Sequence, residues 1–381
     1  MTSPEFTRRR FLATGGALAS ATAPALAAPA AGAATAVALE LPGLKPDEPW
    51  RLAFGSCARQ NKPQPIWRAI TEVSPHLFMF IGDNLYADAE SAPTLRERYA
   101  EFEKAQALQQ FRRSHTHLAI WDDHDYGDDD VGGDYPYKRL SQQLFCDAWG
   151  EAADSPRRTR SGVYQAWRVA SGGRVLQVLM PDLRFNRTPL VTDPARRQGY
   201  QALMARAAAG VREPVPGWYV PNPDPAASLL GAEQWAWLEQ QLAQPADLRV
   251  LVSTVQFAAE GTGWEGWANF PLERQRLFEL IRRHRAEGIV VISGDMHYGE
   301  LSRMDVPGLY PLWDLTSSGL TEVWDVPTPN QRRASAVIAE PNFGLLEVDW
   351  QRSRVQLSVR GVDGGVSLAH ALPMSELRLP A

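Results

Sequence analysis

A chain of 381 residues has room for two average domains or one large one. Its 39 basic residues face 44 acidic ones, a net charge of −5 that argues against nucleic acid as the main partner, because neutralising phosphates takes a basic surface. With 44% hydrophobic and 22% charged residues the chain as a whole is not disordered, and two cysteines, Cys57 and Cys146, are too few for a disulfide scaffold.

Close to its first residue the sequence carries Thr7 and the triplet Arg8, Arg9 and Arg10, followed by Phe11-Leu12, an Ala/Gly/Leu run over 13–23 and the small-residue site Ala25-Leu26-Ala27. A charged start, a short apolar middle and a small-residue end describe an export leader over 1–27, and the arginine pair before Phe-Leu reads as a twin-arginine signal. The implied partner is the twin-arginine translocation machinery, and the implied destination is the periplasm or the medium. Residues 28–46, rich in Ala, Pro and Gly, read as a flexible linker, and 47–381 as one domain. No stretch approaches the ~18 apolar residues of a transmembrane helix.

From Trp50 onward, short apolar runs end in clusters of possible metal ligands. Arg51 to Cys57 is the first. His76 to Asp83 is the second, with Asn84, Tyr86 and Asp88 beyond it. His117 to Asp122 is the third and runs on through Asp123, His124 and Asp125 to Asp130. Gly288 to Asp295 is the fourth, followed by Met296 and His297. Such runs read as buried strands. Val175–Met180 and Leu248–Thr254 fit as further strands, and the segments 344–348, 355–359 and 366–371 as a closing meander. Helical patterns cover 65–73, 95–113, 232–243 and 272–285, and the Pro-rich stretch 213–225 reads as a loop at the site. Alternating strands and helices predict an α/β fold, with ligands gathered at the carboxyl ends of the strands.

Carboxylates brought together there need a compensating cation. Asp83 and Tyr86, three residues apart, can offer two anionic oxygens to one ion, and Cys57 a thiolate, a donor set that suits trivalent iron. The carboxylate-rich loop Asp128-Asp129-Asp130 instead suits a hard divalent ion, calcium or magnesium. Two such ions form a hydrolase site that clamps an in-line displacement at phosphorus. Each piece also has a plainer reading: a Gly-Asp turn, a solvated acidic loop, or for Cys57 an inert thiol or a disulfide with Cys146.

The motifs taken together, Phe54-Gly55-Ser56-Cys57, Ile81-Gly82-Asp83-Asn84-Leu85-Tyr86, Ile120 through His124 to Gly127, and Ile292-Ser293-Gly294-Asp295-Met296-His297, resemble the alkaline phosphatase D (PhoD-like) family of calcineurin-like metallophosphoesterases. The resemblance implies a layered sandwich of central β-sheets flanked by helices. It implies Fe3+ held by Cys57, Asp83 and Tyr86, with Asp83 bridging to Ca2+, and Asp129 and Asp295 as calcium ligands. His297 would be a ligand or a substrate contact. It also implies a metal-bound hydroxide attacking a phosphate ester in line. The family's calcium loop carries Asn where this chain has Asp, which leaves the second metal open.

His124 is either the general acid for the leaving alkoxide or a brace for its loop. Arg184 either holds a phosphate oxygen or pairs with Asp182. Trp264 and Trp267 either wall the cleft or pack in the core. The alternatives to a phosphatase are a phosphodiesterase with phospholipase D-like specificity and, in a different class, a periplasmic solute-binding protein.

Overall fold

The computed structural model describes residues 36–196, 205–206, 209–210, 213–326 and 328–380. The expected leader lies outside them. Residues 34–381 form one compact unit. In chain order its strands are β1 (Val37–Ala38), β2 (Trp50–Gly55), β3 (Leu77–Ile81), β4 (His117–Ile120), β5 (Gln165–Ser171), β6 (Arg174–Met180), β7 (Val191–Thr192) and β8 (Tyr219–Val220). They continue with β9 (Leu248–Ser253), β10 (Ile289–Ser293), β11 (Gly299–Met304), β12 (Leu312–Ser317), β13 (Asn342–Asp349), β14 (Arg354–Gly361) and β15 (Val366–Pro373).

Two mixed sheets result, in the orders β15-β14-β13-β2-β3-β4 and β1-β5-β6-β9-β10-β12-β11. Within each, the strands that carry site loops run parallel: β2, β3 and β4 in the first, β6, β9, β10 and β12 in the second. Their carboxyl ends therefore share one edge of each sheet. A continuous hydrophobic core draws residues from both sheets. Gly299 on β11 marks a close approach between them, since a Cβ there would lie 2.8 Å from the Val359 side chain of β14.

The helices cover the sheets through aromatic contacts. Trp67, in the helix Ile66–Glu72, meets Phe78 and Phe80 of β3 and stacks on Phe111 at 4.8 Å. The helix Gly231–Leu242 is tied to β6 by Gln177, whose side-chain amide donates to the Gln241 carbonyl at 3.1 Å. The helix Pro271–Arg283 packs Phe278 against Phe257.

Three expectations change. The helical pattern over 95–113 is two helices, Ala92–Lys104 and Gln106–Ser114, broken at Ala105, where ψ is 87° and the second helix turns to bury Leu108 and Phe111. The linker ends earlier than composition indicates. Val37 and Ala38 pair with β5, Leu39 donates its amide to the Arg168 carbonyl at 2.9 Å, and Leu41 is buried. The strands β5, β11 and β12, and the two-residue strands β1, β7 and β8, are additional to the expected set, β8 lying within the stretch expected to be a loop.

Candidate metal centre

The loops that leave β2, β3, β4 and β10 meet, and their backbones are bent to do so. Nine non-glycine residues among those described have positive φ, and six of them lie here: Cys57, Asp83, Asp88, Asp130, Asp295 and His297. Left-handed conformations cost free energy for L-residues and persist where surrounding contacts impose them. Gly82, at φ 106°, shows how tightly the loops meet, because a Cβ there would lie 2.5 Å from that of Asp122.

Three donor groups result, each with ligand atoms within 4.8 Å of one another: Cys57, Asp83 and His297; Asp83, Asp123 and His124; and Asp122, Asp123 and Asp295. Asp83 belongs to the first two and Asp123 to the last two, so the donors form one continuous series. The Cys57 thiol donates to Asp83 Oδ2 at 3.4 Å, and Tyr86 Oη lies 3.1 Å from His297 Nε2. Buried atoms are left without hydrogen-bond partners: Asp83 Oδ1, Asp122 Oδ2 and His297 Nδ1.

The electrostatics agree. Burial, then the Asp123 carboxylate, pushes Asp83 well above the usual carboxylate range, and burial and the same neighbour do so for Asp295. Burial and Asp83 raise the Cys57 thiol, and burial and Cys57 raise the Tyr86 phenol. Burial lowers His297 to about 3, helped by His124. Donor atoms that hold each other in neutral forms are the situation a bound cation reverses, because its charge favours their anionic forms. The donor set thus fits metal ions.

Other side chains brace the centre. Asp125 accepts from both the backbone and the side-chain amide of Asn84 at 3.0 Å and from the Asp122 amide at 3.0 Å. Asp122 accepts from Arg184 Nε at 2.6 Å and from the Thr254 hydroxyl at 2.7 Å. Arg184 also binds Glu265 at 2.5 Å, and Glu265 meets Arg187 at 3.0 Å. Arg184 is fully buried within this network and does not face the cleft. Nor does its guanidinium pair with Asp182, whose Oδ1 takes the Arg184 and Phe185 amides instead.

His124 Nδ1 lies 2.5 Å from Asp88 Oδ1, and its Nε2 is 3.9 Å from Asp129. The Asp129 side chain is 70% exposed and stands outside all three donor groups. Asp122 and Asp123 lie within them, although the sequence reading names Asp129 for that role. The alternation of carboxylates through 122–130 carries no periodic signal to choose among them. Only the short helix Asp123–Tyr126, which turns Asp123 back toward Asp83, makes the choice. The sequence places Asp88 in the cluster after Asp83 but does not reveal its pairing with His124, 36 residues away.

Above the centre lies a cleft of about 690 Å³. Tyr86, His124 and His297 line it together with Arg59, Lys62, Asp129 and Trp324. A smaller cavity beside it is walled by Trp218, Trp264 and Trp324 next to Asp130 and Asp295. The Pro-rich loop reaches it, since the Tyr219 hydroxyl donates to Asp130 Oδ2. Trp267 instead is fully buried, its indole N–H donating to the Ser253 hydroxyl at 3.0 Å. Cys57 and Cys146 are both free thiols.

Two sheets with a donor series at their strand ends are the architecture of the metallophosphoesterase-type hydrolases. The PhoD-like phosphatase profile matches residues 52–348. Alkaline phosphatase D of Bacillus subtilis (strain 168) is 23% identical over 224 residues, 55% of this chain and 36% of that protein, so the matched region is about a third of that relative's length. The solved structure of PhoD superposes with a TM-score of 0.62 at 16% identity, covering 88% of this chain and 72% of that one. A dimetal phosphatase from Danio rerio gives 0.47 at 10% identity, covering 86% and 100%. The chain belongs to the PhoD-like phosphatase family, a family of phosphoric ester hydrolases.

Proposed function

We propose that the protein is an exported, metal-dependent phosphoric ester hydrolase, with Cys57, Asp83, Tyr86 and His297 holding one metal and Asp83, Asp122, Asp123 and Asp295 the other. The observation that carries this reading is the continuous donor series, shared through Asp83 and Asp123, whose members His124 and His297 line the cleft. Thiolate, phenolate and carboxylate donors favour Fe3+ for the first position, and an all-carboxylate set favours Ca2+ for the second. When bound, the ions would supply Lewis-acid stabilisation of the charge that develops in an in-line displacement at phosphorus.

The chain's own groups complete the chemistry. Asp88 fixes the Nδ1–H of His124, so that Nε2 presents a proton toward the leaving oxygen. Carboxylates favour that protonated state: burial opposes charge on the ring, yet Asp123, Asp83 and Asp88 raise it well above the usual imidazole value. Arg59 and Lys62 bring positive charge to the cleft wall for the substrate's anionic group. Arg184 neutralises Asp122 from behind and takes no part in binding substrate. The cleft volume exceeds what a phosphoryl group alone needs, which favours a diester as the second reading.

Export rests on the leader over 1–27, which assigns the protein to the twin-arginine machinery and to the periplasm or medium. Among the described residues no helix is long and apolar enough to cross a membrane. The test is elemental analysis of protein purified after native export, beside hydrolysis of a phosphomonoester and a phosphodiester. About one iron per chain with a second divalent ion and turnover, all lost in Cys57→Ala and Asp83→Ala, is the expected result. A folded, metal-free and inactive protein would return a solute-binding role to consideration.

A further inference from the structure

The ring of Tyr86 has an unusual neighbour for a metal ligand. The Arg59 guanidinium lies over it, with Cζ 4.0 Å from the ring centroid. Arg59 is not there by accident of a flexible side chain. Its backbone amide donates to the Thr321 hydroxyl at 2.8 Å, its Nη1 lies 3.6 Å from Asp88 and its Nε 3.5 Å from Glu322. Glu322 is anchored in turn, because the Thr321 and Glu322 amides donate to the Cys57 carbonyl at 3.0 and 3.2 Å. The guanidinium is therefore tied through Asp88 and Glu322 to the loops that carry Tyr86 and Cys57.

We propose that Arg59 is a positioning residue that tunes Tyr86 as an iron ligand, its guanidinium drawing electron density from the ring through the π face. This deepens the reading above and rests on it. A cation over an aromatic face interacts with the ring's π electrons, and far more so when the ring carries a phenolate charge. Stabilising the filled phenolate orbitals widens their gap to the iron d levels. The tyrosinate-to-iron charge-transfer band then lies at shorter wavelength than it would without the arginine, and the ferric state is easier to reduce. Lys62 serves as the internal comparison: it pairs with the same Glu322 at 2.7 Å, but the cation it brings is not stacked on Tyr86.

The experiment records visible absorption and resonance Raman spectra of the full-length protein purified after export, as wild type, Arg59→Gln, Arg59→Lys and Lys62→Gln. Raman enhancement of tyrosinate modes identifies the band. Arg59→Gln moves it to longer wavelength by roughly 10–20 nm, the scale of an ordinary cation–π interaction. Arg59→Lys restores most of the shift, and Lys62→Gln leaves the band in place. A tyrosinate band that Arg59→Gln does not move, or that Lys62→Gln moves equally, overturns the role of Arg59 and leaves the iron centre standing. A protein with no iron and no tyrosinate band overturns both.

Discussion

Asp88 and His124 are 36 residues apart in sequence, and their side chains meet at 2.5 Å on the cleft wall. The contact fixes one imidazole nitrogen and leaves Nε2 3.9 Å from Asp129, the arrangement the general-acid proposal requires. In Asp88→Asn the ring loses its hydrogen-bonded anionic partner and part of the bias toward the protonated form, the rest coming from Asp123 and Asp83. We expect kcat to fall roughly ten- to a hundredfold for alkyl phosphate esters, up to the low end of the roughly 100- to 10,000-fold that general acid catalysis supplies. Nitrophenyl esters, whose leaving group needs no proton, should lose much less. Equal losses for both ester types would assign His124 to holding its loop.

Removing metal should destabilise the protein, and the loss should deepen as pH rises. The sign follows from the carboxylates. Without a cation, burial lifts Asp122 to about 6, and burial with the Asp123 charge lifts Asp83 and Asp295 well above the usual range. A carboxyl group whose pKa is higher folded than unfolded costs nothing below the unfolded value. It destabilises progressively as pH climbs toward the folded one. Chelated protein should therefore lose thermal stability between about pH 4 and pH 7, while the metal-loaded protein, its carboxylates already paired, holds steady there. Calorimetric melting of both forms across that window is the measurement, and parallel pH profiles would contradict it.

Much of this centre was legible because strand ends and ligands coincide in the sequence. The apolar runs before Cys57, Asp83, Asp122 and Asp295 became β2, β3, β4 and β10 within a residue or two of their expected limits. Burial on both faces of a parallel strand writes a continuous apolar run, and that signal is strong. Strand β5 gave no such run: its sequence, Gln165-Ala166-Trp167-Arg168, owes its place to pairing with β6 across a two-glycine turn. Tertiary pairings explain the other omissions. Glu265 contacts Arg184 and Arg187 across some 80 residues, and nothing near Gly-Trp-Glu-Gly-Trp announces a buried ion pair.

That ion-pair network makes a prediction about Arg184. The residue is fully buried and holds Asp122 and Glu265, so its loss leaves Asp122 with no cationic side chain, only the Thr254 hydroxyl, and Glu265 with Arg187 alone. Arg184→Met should cost about 3–5 kcal/mol in unfolding free energy, the usual penalty for breaking a buried pair from one side. The combined variant Arg184→Met with Glu265→Gln should recover part of that loss, because one of the stranded charges is gone. Urea unfolding checks both. A contact to substrate phosphate would show the reverse, a raised KM with stability nearly intact.

The acidic loop yields the last test, because it offers several carboxylates for one role. Asp123 lies in two of the three donor groups, and its Oδ2 accepts the Asp130 amide at 2.8 Å, which fixes the carboxylate in place. Arg184, His124 and that amide outweigh the burial penalty and hold its pKa below the usual carboxylate range, so it is anionic and ready for a cation. Asp129 is exposed, and its nearest charged partner is His124 at 3.9 Å. Asp123→Asn should weaken the second metal by more than the roughly 10–100-fold seen when an outer-shell partner is lost. Asp129→Asn should change affinity only a fewfold. Titration of metal-stripped protein with Ca2+ reads both constants. If Asp129→Asn instead produced the larger loss, the loop would have to close on the metal, carrying Asp129 inward past His124.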